Sequence, residues 1–254
     1  MLKPILCVAA LALAPLAHAA TATCTLLAEG ATDKVLQQNG ACDVRSAPMS
    51  TFKLAISLMG YDAGILKDEH APVWPFKPGY VDWRDEWKQD IDPAKWMAMS
   101  VVWYSQQTTL RLGTARFARY THQFKYGNED VSGGLTEAWL HTSLMITPRE
   151  QIAFLGRLVR RELGVSAHAY DMTANIALYR TLPNGWTVHG KMGAGGYGKD
   201  GKVGWYVGWA EKGGRMVTFA RQRLEDDDKL DGSAGPRARD PLLAELPAML
   251  DAIE

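Results

Sequence analysis

The most constraining feature of this chain is where its strand-like segments fall. Residues 23–27 and 35–38 flank Gly30-Ala31-Thr32-Asp33 and read as a β-hairpin at the start of the chain. Residues 186–190, 205–211 and 216–221 are short, aromatic or β-branched, and separated by glycine-rich turns such as Lys212-Gly213-Gly214, so they read as antiparallel strands near the end. The segments between are helical in pattern. Strands at both ends of one chain are satisfied together if they share one antiparallel sheet, with the helices packed around it, which is an α+β fold.

The intervening helices have local start and stop signals. Pro48 precedes a stretch over 50–59 without Gly or Pro, and Gly60 reads as its stop. A Pro- and Trp-rich stretch over 71–87 reads as an irregular loop hugging the surface. Asp92-Pro93 opens a helix carrying Trp96 and Met97, and residues 100–112 form another, stopped by Gly113. Thr147-Pro148-Arg149-Glu150 is a capping box with proline in the first helical position, followed by Ile152, Phe154, Leu155, Leu158 and Val159 at helical spacing up to Gly164. A last helix is expected over 241–253. No internal repeat or linker-like shift in composition divides the chain.

Residues 1–19 read as a secretory signal. Lys3 supplies the positive start, residues 5–16 the apolar run, and Ala17-His18-Ala19 the small-residue cleavage site before Ala20. The run is shorter than the ~20 apolar residues a bilayer span needs, and Pro15 interrupts it. Residues 20–254 are then expected as a single domain with no membrane segment. Of the three cysteines, Cys7 leaves with the signal, and Cys24 and Cys42 remain as an expected disulfide worth roughly 3 kcal/mol. The 28 basic and 28 acidic residues cancel, which argues against nucleic acid or an anionic membrane as partner.

Two glycine-rich matches fail on context. Gly193-Ala194-Gly195-Gly196-Tyr197-Gly198 fits a dinucleotide fingerprint, but strand-like residues follow it where a helix must begin. Asp200 stands where a phosphate loop needs Ser or Thr, so the run reads as a hairpin turn. The six histidines form no zinc-type spacing, and no metal site is expected. Glu225-Asp226-Asp227-Asp228 reads as a solvated loop.

Ser50-Thr51-Phe52-Lys53 places a serine and a lysine on one face at a helix start, where free N–H groups and the helix dipole stabilise developing negative charge. The lysine can act as a base only if burial holds it neutral, and the flanking Phe52, Leu54 and Ile56 suit that. A helix cap followed by a surface lysine would explain the same four residues. Further along come Ser100-Val101-Val102 at a helix start, Tyr126-Gly127-Asn128, Trp139-Leu140, and Lys191-Met192-Gly193 at a strand end.

Taken in this order, the set resembles the class D, oxacillinase-type, serine β-lactamases, as do Val102-Trp103-Tyr104-Ser105-Gln106-Gln107 and Gly204-Trp205-Tyr206-Val207-Gly208-Trp209-Ala210-Glu211. The resemblance implies a sheet-containing region packed against an all-helical region, with the active site in the cleft between them. It implies a periplasmic hydrolase conferring β-lactam resistance, with a small-molecule β-lactam as its partner. Ser50 would be the acylated nucleophile. Lys53 would carry a carboxyl group taken from carbon dioxide or bicarbonate, the only cofactor implied, and act as general base. Trp139 would donate to that carbamate, Val102 would line its pocket, and Leu140 would face substrate. Ser100 would relay a proton. Lys191 would hold the substrate carboxylate with Arg239, or with its rival Arg237. The oxyanion hole would be the backbone N–H groups of Ser50 and Ala194. Nothing in the pattern sets an oligomeric state.

One departure matters. The family usually has Thr or Ser between the strand lysine and glycine, and Met192 offers only a weakly accepting thioether. The expectation is a weakened or narrowed enzyme, improved by Met192→Thr. Related architectures suggest two alternatives: a penicillin-binding sensor that does not deacylate, or a cell-wall peptidase using the same serine and lysine.

Overall fold

The computed structural model describes residues 21–199, 201–225 and 233–253; the secretory signal expected over 1–19 lies outside them, as do Asp226, Asp227 and Asp228. Strands β1 (Thr21–Glu29) and β2 (Val35–Gly40) form the N-terminal hairpin. The C-terminal half contributes β3 (Leu178–Thr181), β4 (Thr187–Tyr197), β5 (Gly201–Lys212) and β6 (Arg215–Glu225). Among the described residues these make one six-stranded antiparallel sheet in the order β2-β1-β6-β5-β4-β3. The two ends of the chain meet where β1 pairs with β6, with Cys24 opposite Gln222 and Leu27 opposite Phe219. A disulfide joins Cys24 in β1 to Cys42 beyond β2.

The helices are α1 (Lys53–Asp62), α2 (Pro93–Met99), α3 (Val102–Leu112), α4 (Thr114–Gln123), α5 (Pro148–Val159), α6 (Ala167–Ala177) and α7 (Ala234–Asp251). Strand β5 is buried on both faces, which explains its nearly unbroken apolar run. Val203, Trp205, Val207 and Trp209 face the large core built with α1 to α6, whereas Tyr206 and Ala210 face Leu242, Leu243, Leu246 and Leu250 of α7. Gly204 and the start of α7 approach so closely that a Cβ at 204 would lie 2.1 Å from the Ala234 carbonyl oxygen.

Several boundaries differ from the sequence reading, each for a tertiary reason. Gly60 does not end α1. It lies inside the helix, where a Cβ would come 2.8 Å from Leu66 Cδ1, and the left-handed residue after the helix is Gly64. The glycine run at 193–197 is strand rather than turn, so Lys191 sits mid-strand; the turn begins at Gly198. The last helix starts at Ala234 rather than Pro241, so Arg239 is inside it rather than before it. Close packing of Ala234, Gly235 and Ala238 outweighs the interior prolines Pro241 and Pro247. Glu225 is not part of a solvated loop: it is buried at the end of β6, accepting hydrogen bonds from Arg223 and Arg237. The capping box forms as read, with the Thr147 hydroxyl accepting from Glu150 N–H and the Glu150 carboxylate from Thr147 N–H.

Candidate active site

Ser50 lies in a 3-10 turn, Met49–Phe52, that runs directly into α1. Met49 takes a left-handed φ of 51°, uncommon for a side chain of its size. The turn is held from three sides. Thr51 Oγ1 donates to the Pro48 carbonyl at 2.6 Å and accepts from Gln151 Nε2 of α5 at 3.0 Å. Phe52 packs against Phe117, Tyr126 and Trp139. On the sheet side, a Cβ at Gly193 would lie 3.0 Å from the Pro48 carbonyl oxygen, and one at Gly195 2.3 Å from Met49 Cε. The glycines of β4 let the strand lie against the turn that carries Ser50.

One turn after Ser50, Lys53 is fully buried and its Nζ donates to Ser50 Oγ at 3.1 Å. Burial, and secondly the positive charge of Lys191, push its pKa well below 10.5. A neutral amine in contact with the hydroxyl has a lone pair available for its proton. In the same core, the fully buried Trp139 Nε1 has no hydrogen-bond partner among the described residues. Buried donors are rarely left so.

The opposite wall comes from the helical region. Ser100 does not begin a helix as the sequence suggested. It caps the C-terminus of α2 in a left-handed conformation, φ 61°, and α3 begins two residues later at Val102. That bend aims Ser100 into a cavity of about 370 Å³ lined also by Ser50, Val102, Met192, Ala194 and Arg239. Lys191 is 5% exposed, donates to the Met192 carbonyl at 2.9 Å, and lines the adjoining recess. Its pKa is pushed down to about 7 by burial and then by the charges of Arg239 and Arg84.

The two arginines are placed differently. Arg237 is engaged with buried Glu225, whereas Arg239 lines the cleft, donates to Asp240 at 2.7 Å and stands 5.9 Å over the Tyr179 ring. Leu140, expected to face substrate, lies away from the opening. It is buried within a kinked segment and does not line this cavity; Tyr126 is buried, its hydroxyl 3.5 Å from Gln151 Oε1. Asn128 is structural in its contacts, accepting from Met145 N–H and donating to the Ser143 carbonyl.

The chain is similar to known proteins in both sequence and fold. Residues 15–246 match the penicillin-binding protein transpeptidase domain family. The chain is 45% identical over 249 residues to β-lactamase OXA-9 of Klebsiella pneumoniae, spanning 91% of this chain and 89% of that one. The crystal structure of the OXA-427 class D β-lactamase superposes with a TM-score of 0.86 at 41% identity, covering 91% of this chain and all of that one. The chain belongs to the class D serine β-lactamases. The fold is shared more widely: the C-terminal domain of the Bacillus licheniformis BlaR penicillin-receptor superposes with a TM-score of 0.79 at 25% identity, covering 90% of each chain.

For a class D enzyme, two cleft residues were hidden in the loop that the sequence reading treated as surface covering. Trp83, 65% exposed, and Arg84 both line the cleft, and Arg84 contributes to the depressed pKa of Lys191. The unusual aromatic density of that loop was the available signal. Gln151 was also missed, because a glutamine on a helix gives no hint of the turn it holds. Among the described residues no cluster of His, Cys, Asp and Glu is placed to hold a metal ion, and no helix is long and apolar enough to cross a membrane.

Proposed function

We propose that the protein hydrolyses β-lactam antibiotics through an acyl-enzyme on Ser50, with Lys53 carboxylated on its ε-nitrogen. The observation that carries this reading is the fully buried Lys53, held toward its neutral form and 3.1 Å from Ser50 Oγ. A neutral amine adds carbon dioxide, and the resulting carbamate supplies a carboxylate base in an apolar site. The unpartnered indole N–H of Trp139 fits an acceptor of that kind.

The rest follows from the placement of the chain's own groups. Ser50 Oγ attacks the lactam carbonyl as its proton leaves toward residue 53. The backbone N–H groups of Ser50 and Ala194 receive the oxyanion. Ser100 hands a proton to the departing ring nitrogen, and Lys191 and Arg239 hold the substrate carboxylate. Water then releases the acyl group. The signal read over 1–19 sends the enzyme to the periplasm, where its small-molecule substrate arrives.

Steady turnover of nitrocefin, accelerated by bicarbonate after carbon dioxide has been stripped, tests the proposal. Ser50→Ala should abolish it, and Lys53→Ala should leave an acyl-enzyme visible by mass spectrometry. The likeness to the BlaR receptor domain favours one second reading, a penicillin-binding module; a single stoichiometric burst without turnover would establish that one instead.

A further inference from the structure

A recess of about 260 Å³ opens off the cleft beside the part of β4 that β3 leaves unpaired. It shares Ala98, Met192 and Arg239 with the cleft, and its floor is Gly190 and Lys191. Tyr206 of β5, the register partner of Met192, completes its wall. The Tyr206 hydroxyl lies over Gly190, where a Cβ would be 3.0 Å from the hydroxyl oxygen. The side chain is 1% exposed, yet that hydroxyl has no hydrogen-bond partner among the described residues. A buried phenol ordinarily finds an acceptor. Tyr179 packs on Tyr206 with ring centroids 6.2 Å apart and the Arg239 guanidinium stands over Tyr179, so the charges acting on Tyr206 are those of Arg239 and Arg180, opposed by Asp240, which accepts from Arg239. Among the described residues no carboxylate lines the recess, and the remaining wall is apolar, with Met97, Ile176 and Leu178. Two cations, an unpaired donor and an apolar surround complement a carboxylate carried on a small apolar ring.

We propose that Tyr206 is a specificity-determining residue that donates a hydrogen bond to the carboxylate of a β-lactam seated against Lys191 and Arg239. The donor that Met192 lacks on β4 is thereby supplied from the next strand. This rests on the β-lactam reading above and adds to it a residue and a selectivity, for free acids over their neutral esters.

The test compares kcat/KM for benzylpenicillin and its methyl ester in the wild type and in Tyr206→Phe. The free acid should lose about ten-fold or more, the ester less, so that the acid-to-ester ratio falls about five-fold or more. The thermal midpoint should not drop, because the free enzyme loses no hydrogen bond. An unchanged ratio, or equal losses on both substrates with a lowered midpoint, overturns the inference: the hydroxyl then acts on the fold or on a buried water. If the wild type turns over neither compound, the β-lactam reading fails and this inference with it, whereas an active enzyme with an unchanged ratio refutes the inference alone.

Discussion

Trp139→Phe separates the indole N–H from everything else the side chain does. The ring is fully buried and packs on Phe52 and Phe117, with centroids 5.8 and 6.2 Å away, so a phenyl group keeps the aromatic contacts and forfeits part of the volume. Large-to-small exchange of this kind costs roughly 1–3 kcal/mol. No hydrogen bond is lost from the unmodified enzyme, because Nε1 makes none among the described residues. The carboxylated enzyme is different. An N–H donating to a charged acceptor is worth about 1.5–3 kcal/mol, which is about a 10- to 150-fold change in the equilibrium for carbon dioxide uptake. The assay is nitrocefin turnover by carbon dioxide-stripped enzyme titrated with bicarbonate. The variant should need about ten-fold or more bicarbonate for half-activation and recover most of its rate at saturation. An unchanged midpoint with a lowered plateau would refute the reasoning, since the indole would then serve shape alone.

Four other outcomes follow from the same geometry. Lys191 is charged only below about pH 7, so kcat/KM for an anionic β-lactam should fall as pH rises through that value, and Lys191→Met should flatten this limb. Its folded pKa also lies below the 10.5 of the unfolded chain, so the unfolded state binds more protons between about 7 and 10.5; urea denaturation should show stability rising with pH across that window. Cys24→Ala opens a loop spanning 18 residues in sequence and should cost about 3 kcal/mol, or a thermal midpoint about 6–12 °C lower by calorimetry, and an unchanged midpoint would mean the disulfide contributes nothing. Met192→Thr places a hydroxyl beside the cleft and should raise kcat/KM for penicillins by about ten-fold, with a loss of stability from the emptied thioether volume; equal or lower efficiency contradicts it.

What could be read from the sequence was set by chemistry that acts within a few residues. The Thr147 and Glu150 capping box, the Asp92-Pro93 helix start and the hairpin about Gly30 are short-range hydrogen-bond problems, and each forms as read. Ser50 and Lys53 are three apart on one turn, so their contact was visible too. Glycine was misread wherever its reason is tertiary. Gly60 makes room for Leu66 and Gly193 for Pro48, and neither partner can be found by looking at the flanking residues. Ser100 is a similar case: its left-handed backbone is fixed by the junction of α2 and α3, and the letters around it suggest only a cap. The different placement of Arg237 and Arg239 turns on the burial of Glu225, which reads in sequence as the start of an acidic run.

Met192 shows how far a single departure from a motif reaches. A Cβ at Gly235 would lie 2.7 Å from Met192 Cγ and 2.8 Å from Sδ, so the thioether fills the space that the first turn of α7 leaves open. That turn is part of the helix carrying Arg239, while Met192 is the neighbour of Lys191 on β4. The methionine therefore packs together the two elements that deliver the cations, at the same position where a hydroxyl is absent. Assembling these cations has a cost, seen in the pKa of Lys191, which Arg239 and Arg84 help to depress. An entering carboxylate relieves that repulsion. In a chain of zero net charge, attraction for an anion has to be local, and a low-dielectric cleft concentrates it there. The same burial that holds Lys53 toward its neutral form thus makes Lys191 a conditional cation, its charged form favoured by a nearby anion.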